Sequence, residues 1–318
     1  MIITVTPNPA IDKIYWVDQL KMAKETQDEF LTRARKSETS AGGKGVNTSI
    51  FLSRLGVENV AMGFVGGYMG HVVVRDLRDE GVTTNFVWVN GETRTNVIVL
   101  ERGHEYVPIM INEPGPAIMQ EEITRFLRRY KRMLKRATWV ILAGSLPPGV
   151  DRDLYRVLAS MAKETGARVV ISAAGDALGR GLLAAPYIVK PDIRETPVIN
   201  GLPIGTSNEI IDAGKKAVAD GAGIVIVSHA VTGDIAITAD GVWEIFAPTK
   251  TTEFKNFVGA DDVLLGGIVH MLNKGESLED ALRFGMAASM MSAESDKKIC
   301  SDIDQIEKHM ETISINKL

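Results

Sequence analysis

Short apolar runs alternate along this chain with longer stretches whose apolar residues recur at helical spacing. Ile2 to Thr6 is followed by a helical pattern after Lys44, by Val60 to Phe64, and by a helical pattern from His71 to Glu80. The alternation resumes with helices near Met119 to Arg136, Asp151 to Thr165 and Glu209 to Asp220. Strands are predicted among them at Trp139 to Ala143, Arg168 to Ser172, Tyr187 to Lys190 and Ile224 to Ser228. Such alternation predicts βα units. Strands that are apolar at nearly every position predict a sheet covered on both faces. Two segments, Ile14 to Arg35 and Phe86 to Ile111, break the pattern and read as hairpins turning at sites such as Gly91-Glu92 and Gly103-His104. They predict a small β-rich subdomain inserted in the α/β core as a cover over its site. Ile235 to Thr238 and Val242 to Phe246 predict a further hairpin at the far edge of the sheet.

The 318 residues are 45% hydrophobic and 24% charged, enough for a large core and without the signature of disorder. A formal charge of -4 argues against a general nucleic-acid binder. The basic run Arg125 to Arg136 carries apolar residues at helical spacing, so its charges read as a solvated helix face. Cys300 is the sole cysteine, which excludes an internal disulfide and a thiolate cluster, and the five His lack paired ligand spacing. No apolar stretch is long enough to span a bilayer, and no leader pattern opens the chain. The expectation is a cytoplasmic protein with small ligands, binding neither nucleic acid nor membrane.

Two Gly-rich turns, Ala41 to Asn47 and Asn256 to Asp262, each open onto an apolar helical run. Unpaired amides at a helix start attract anions. Asp262 then has two readings. It either caps the helix Val263 to Leu272 or takes a proton from a hydroxyl while neighbouring amides hold a transferring phosphoryl group. Two anion sites suggest two phosphates. Neither turn has Walker A spacing, so a P-loop NTPase is not expected.

Thr6-Pro7-Asn8-Pro9-Ala10-Ile11-Asp12, Gly42-Gly43-Lys44-Gly45-Val46-Asn47 and Gly66-Gly67-Tyr68-Met69-Gly70 resemble signature segments of the ribokinase-like (PfkB) sugar kinases. Thr93-Arg94-Thr95-Asn96, Asn112-Glu113-Pro114-Gly115-Pro116 and Gly144-Ser145-Leu146-Pro147-Pro148-Gly149 fit the branch of 1-phosphofructokinase and tagatose-6-phosphate kinase. The resemblance runs end to end. It implies one kinase domain over 1–318, an α/β fold with a ribokinase-like three-layer core, a mostly parallel sheet and a β lid from about 12–36 and 86–112. Asp262 would be the base, with Gly259, Ala260 and Asp261 forming the anion hole. Asp12, Gly42, Gly43, Lys44, Asn47, Arg94 and Gly144 would bind sugar phosphate, Lys44 and Arg94 supplying charge for its phosphate. Lys190, Asp192, Ser228 and Gly233 would bind ATP, and Glu195 would reach Mg²⁺ through water. The implied reaction is ATP-dependent phosphorylation of fructose 1-phosphate to fructose 1,6-bisphosphate, with tagatose 6-phosphate or fructose 6-phosphate as alternatives. The lid implies a homodimer contact, through Trp16, Trp88 and Val97 to Val99.

The chain departs from the family pattern in the nucleotide half. Asp261 stands where Gly is expected, Asp192 where Asn is expected, and Ser228-His229-Ala230 and Ser172-Ala173-Ala174-Gly175 replace family segments. A side chain at position 261 is expected to resist a positive φ or close backbone approach. A lone carboxylate about 5 Å from a phosphoryl group, at an effective dielectric near 20, is repelled by roughly 3 kcal/mol. That slows transfer more than a hundredfold. Three readings follow: a slow but real kinase, a kinase whose Asp261 side chain points away or helps bind metal, and a sugar-phosphate binder that has lost transfer.

Overall fold

The computed structural model describes residues 1–20, 31–248, 250 and 253–318. Its first part runs β1 (Ile2–Thr6), β2 (Ala10–Val17), β3 (Ala34–Gly42), α1 (Lys44–Arg54), β4 (Asn59–Val65), α2 (Gly67–Asp79), β5 (Thr83–Thr84), β6 (Val87–Trp88), β7 (Arg94–Glu101) and β8 (Ile109–Asn112). The middle holds α3 (Gln120–Met133), β9 (Trp139–Ala143), α4 (Leu154–Lys163), β10 (Arg168–Ser172), α5 (Gly175–Leu182), β11 (Ile188–Val189), β12 (Val198–Ile199), β13 (Leu202–Pro203) and α6 (Ser207–Ala219). The last part is β14 (Ile224–Ala230), β15 (Gly233–Thr238), β16 (Gly241–Phe246), α7 (Ala260–Lys274), α8 (Leu278–Glu294), α9 (Ile303–Met310) and β17 (Ser314–Lys317).

The large sheet has the order β17-β16-β15-β14-β11-β10-β9-β1-β4-β5, parallel from β14 through β5 and antiparallel from β14 to β17. Alternation along each strand feeds two cores. Ile2, Trp139, Ile141 and Ile226 face one, with Phe51 of α1, Leu77 of α2 and Leu264 of α7. Ile3, Val140, Leu142 and Val227 face the other, with Tyr130 of α3, Tyr155 of α4 and Ile210 of α6. The result is the three-layer α/β/α arrangement expected of strands that are apolar on both faces. No helix among the described residues is long and apolar enough to cross a membrane.

The second sheet, β3-β2-β7-β8, rises from the carboxyl edge of the first as a lid. Its register places Gly42, Ala10 and Arg94 in one row and sets Asp12 beside Asn96. Three details differ from the sequence reading. Val87–Trp88 pair in parallel with β4 rather than joining the lid, because they continue the α2 crossover. The hairpin β15–β16 is not the far edge, since β17 pairs outside it. Trp16 and Ile98, expected at a dimer face, are buried in the lid's own core with Ile14, Leu100 and Val258, and Trp16 Nε1 donates to the Lys255 carbonyl. Of the expected lid segment, residues 21–30 lie outside the described residues.

Candidate active site

Both Gly-rich turns deliver helix N-termini to one cavity of about 770 Å³ at the carboxyl ends of the parallel strands, where open α/β sheets bind ligands. Gly43 caps α1 at φ 107°, and a Cβ there would meet the Thr6 methyl at 2.9 Å. Gly259 caps α7 in the left-handed region at φ 83°. The cap of α7 is thus Gly259 and not Asp262, which lies a turn inside and is free for other work. Asp261 is helical as well, so the positive φ expected of its position belongs two residues earlier. Asp262 N–H already donates to the Gly259 carbonyl at 3.0 Å and Ala260 N–H to Phe257 at 3.4 Å. Among the described residues, that leaves the amides of Gly259 and Asp261 as the open donors of the expected hole.

Asp262 is buried, and its Oδ2 accepts from Asn47 Nδ2 at 2.7 Å, which joins the two turns. Burial pushes its carboxyl above the ordinary carboxylate range, against the pull of Lys44 and the Asn47 hydrogen bond. A carboxylate made more basic by burial suits proton abstraction from an alcohol. Among the described residues Asn47 Oδ1 is buried without a partner, as is Asn96 Oδ1, and both residues line the cavity.

At the lid end, Asp12 Oδ1 accepts from Asn96 Nδ2 at 2.8 Å, and its Oδ2 pairs with Lys298 Nζ at 2.6 Å. Gly42 makes room for this, since a Cβ there would lie 2.2 Å from the Asp12 carboxylate. Arg94 is held by backbone carbonyls, Nε donating to Asn8 at 3.2 Å and Nη1 to Glu113 at 3.1 Å. Burial lowers its pKa, while Asp12, Glu195 and Glu113 oppose that.

The half of the site expected to hold nucleotide contains a chain of ion pairs. Lys44 Nζ lies 2.7 Å from Asp192 Oδ2, Arg194 Nε 3.1 Å from Asp192 Oδ1, Arg194 Nη2 3.2 Å from Asp261 Oδ2, and Lys190 Nζ 3.1 Å from Asp261 Oδ1. Ser228 Oγ accepts from Lys190 at 2.9 Å. Burial alone would raise both acids, but the cations win. Lys190, Arg194 and Lys44 hold Asp261 well below the ordinary range, and Lys44 and Arg194 do the same for Asp192. The isolated charge behind the roughly 3 kcal/mol repulsion is therefore not what the chain builds.

The cavity gathers Asp12, Gly43, Lys44, Asn47, Arg94, Gly144, Asp192, Glu195, Ser228, Gly259, Asp261 and Asp262. Gly42 lies beneath Asp12, Ala260 is buried, Lys190 reaches the site only through its ammonium, and Gly233 stands off the cavity at the start of β15. Lys44 and Arg94 do not share partners: Lys44 pairs with Asp192, whereas Arg94 bonds the carbonyls of Asn8 and Glu113. Sequence reasoning missed Lys298 and Arg194. Nothing in Asp296-Lys297-Lys298 singles out Lys298, whereas Arg194 lies two residues from Asp192 in a segment already singled out.

A model of pfkB family carbohydrate kinases matches residues 6–303. The chain belongs to the pfkB family of carbohydrate kinases. It is 35% identical over 297 residues to the 1-phosphofructokinase of Bacillus subtilis (strain 168), covering 93% of this chain and 94% of that one. It is 29% identical over 319 residues to the D-tagatose-1-phosphate kinase of Bacillus licheniformis, covering 100% of both. A crystal structure of a possible 1-phosphofructokinase from Thermotoga maritima superposes with a TM-score of 0.89 at 33% identity, over 100% of this chain and 99% of the other. Escherichia coli phosphofructokinase-2 in complex with fructose-6-phosphate gives 0.82 at 25% identity over 98% of each chain.

For a kinase in which Asp262 is the base, Asn47→Ala has a directional outcome. The lost hydrogen bond favoured the ionised carboxylate, so the Asp262 pKa rises further and the acid limb of the kcat/KM profile moves to higher pH. A limb that stays in place would show that Asp262 is not the titrating base.

Proposed function

We propose that the chain is an ATP-dependent kinase of a ketohexose 1-phosphate, with fructose 1-phosphate giving fructose 1,6-bisphosphate as the first substrate. The observation that carries this is the Asn47–Asp262 hydrogen bond, which joins the sugar turn to the base at the mouth of a second helix N-terminus. The names of two relatives, 1-phosphofructokinase and D-tagatose-1-phosphate kinase, both put the substrate's phosphate on carbon 1. These names favour a 1-phosphate over the tagatose 6-phosphate first considered and add tagatose 1-phosphate to fructose 6-phosphate as an alternative.

In this reading Asp12, Asn47 and Asn96 orient the sugar hydroxyls, and Arg94 binds the phosphate the sugar already carries. Asp262 takes the proton from the free primary hydroxyl as that oxygen attacks the γ-phosphorus of ATP, and the bond from that phosphorus to the β,γ-bridging oxygen breaks so that ADP leaves. The amides of Gly259 and Asp261, with Lys44, neutralise charge developing on the transferring group. Phe257, Leu264, Met286 and Met290 line the same cavity and offer an apolar wall to the adenine. Among the described residues no group of three His, Cys, Asp or Glu is placed to hold a metal ion. Asp192 and Asp261 are engaged by cations, whereas the exposed Glu195 carboxylate has no ion pair or hydrogen bond among the described residues. That suits Mg²⁺ carried in on nucleotide and met by Glu195 through water, where it would neutralise phosphate charge. The exposed apolar strand β8, with Ile109 and Ile111, is the lid surface best suited to a homodimer contact.

The test is ATP turnover against fructose 1-phosphate, tagatose 1-phosphate, fructose 6-phosphate and unphosphorylated fructose. Turnover confined to the last, or absent from all four, would overturn the reading. Arg94→Ala is expected to weaken binding of the phosphorylated sugar tenfold or more, as loss of a charge-assisted contact does, and to leave free fructose unaffected. Equal losses for both would place Arg94 in the fold alone, through its bonds to Asn8 and Glu113.

A further inference from the structure

Asp192 and Asp261, the two acidic departures from the family pattern, lie far apart in sequence but share one guanidinium. Arg194 bonds Asp192 through Nε and Nη2 and Asp261 through Nη2. Its side chain is 49% exposed and lines the cavity, whereas its partners are 7% and 29% exposed beneath it. Beyond the guanidinium, the same carboxylates hold Lys44 and the deeply buried Lys190. With Asn and Gly at these two positions, the three cations would face the cavity without these acids. Lys44 and Lys190 are largely buried, and buried cations left without a counter-charge are destabilising, so a site built that way calls for an anion. Here the protein supplies two of its own.

We propose that Asp192 and Asp261 are internal stand-ins for nucleotide phosphate, and that Arg194 is a phosphate-binding residue which they hold until the nucleotide arrives. The ligand class is a nucleoside di- or triphosphate, and the inference rests on the kinase reading above. Phosphate oxygens compete with the two carboxylates for one set of donors. Arg194 is the donor able to exchange, because it is on the cavity side and its Nη1 has no partner among the described residues. A planar fork can keep one carboxylate through one edge while another edge turns to phosphate. The two departures are then a single coupled change that tunes affinity for nucleotide, and not two independent losses.

The experiment is calorimetric titration of the full chain with ADP in buffer free of divalent cations, so that only protein cations contribute. Asp261→Asn keeps the side-chain shape and frees Arg194 and Lys190, and is expected to bind ADP about tenfold more tightly than the unaltered chain. Arg194→Gln is expected to bind about tenfold more weakly, with a shallower dependence on salt. In the double variant the gain from Asp261→Asn shrinks, because the freed guanidinium is absent; such non-additivity marks residues that share a partner. Thermal melts check folding, and Asp192→Asn asks the same question should Asp261→Asn fail to fold. Unchanged ADP affinity in Asp261→Asn and Arg194→Gln would overturn the proposal and leave the kinase reading standing. No binding of metal-free ADP by any form, including the unaltered chain, would overturn the proposal, and the kinase reading falls with it only if ADP with Mg²⁺ also fails to bind.

Discussion

Asp262→Asn is expected to lower kcat at least a hundredfold while the KM for sugar phosphate changes little. Removing a general base costs that much, and the substitution deletes the proton acceptor without altering shape. The Asn47 amide can still donate to the new amide oxygen, so the link between the two turns survives. A second readout separates chemistry from damage. Burial raises the folded-state pKa of Asp262 above that of the unfolded chain. The folded state then holds the proton more tightly, and stability falls as pH rises through the interval between the two values. At neutral pH the carboxylate is a liability to the fold, so the Asn variant should unfold at an equal or higher urea concentration. Near-normal turnover would dismiss Asp262 as the base. A loss of both turnover and stability would mean that the substitution disturbs the site rather than the proton transfer.

The parts of this chain that were legible in the sequence are those where physics acts over neighbouring residues. Strands such as Trp139–Ala143 are apolar at every position because both faces are covered, and Gly43 and Gly259 advertise helix starts that need unusual backbone. The motif segments likewise put Asp12, Asn47 and Asp262 on the page before their geometry was known, and the cavity brings them together. What the sequence could not display is pairing across the fold. Asp261 read as an isolated charge because Lys190 and Arg194 sit in a different βα unit; the parallel alignment of β11 and β14 sets Lys190 beside Ser228, and the first turn of α7 brings Asp261 to both. A lone carboxylate there would repel a phosphoryl group, but Asp261 is paired with Lys190 and Arg194. Val87–Trp88 failed for a related reason. Two residues of strand carry no periodicity, so their partner is set by where the α2 crossover ends.

Lys298 is the clearest case of a residue whose importance is tertiary. Its ammonium crosses from the segment after α8 to the lid, bonding Asp12 at 2.6 Å and the Ala41 carbonyl at 2.9 Å, with both side chains of the ion pair 5% exposed. Asp12 is also an expected sugar ligand, so the pair ties the carboxyl-terminal helices to the mouth of the site. Lys298→Met keeps the length and apolar stem but leaves a buried carboxylate whose hydrogen-bonding side-chain donor among the described residues is the Asn96 amide. Breaking one partner of a buried pair typically costs about 3–5 kcal/mol, whereas replacing both partners costs far less. The expected result in urea unfolding is a loss of that size for Lys298→Met at an unchanged m-value. The double variant Asp12→Asn with Lys298→Met should recover at least half of it, a coupling that independent sites do not show. A loss below about 1 kcal/mol for the single variant, the level of an exposed ion pair, would mean that water reaches Asp12 and that the link carries little of the fold.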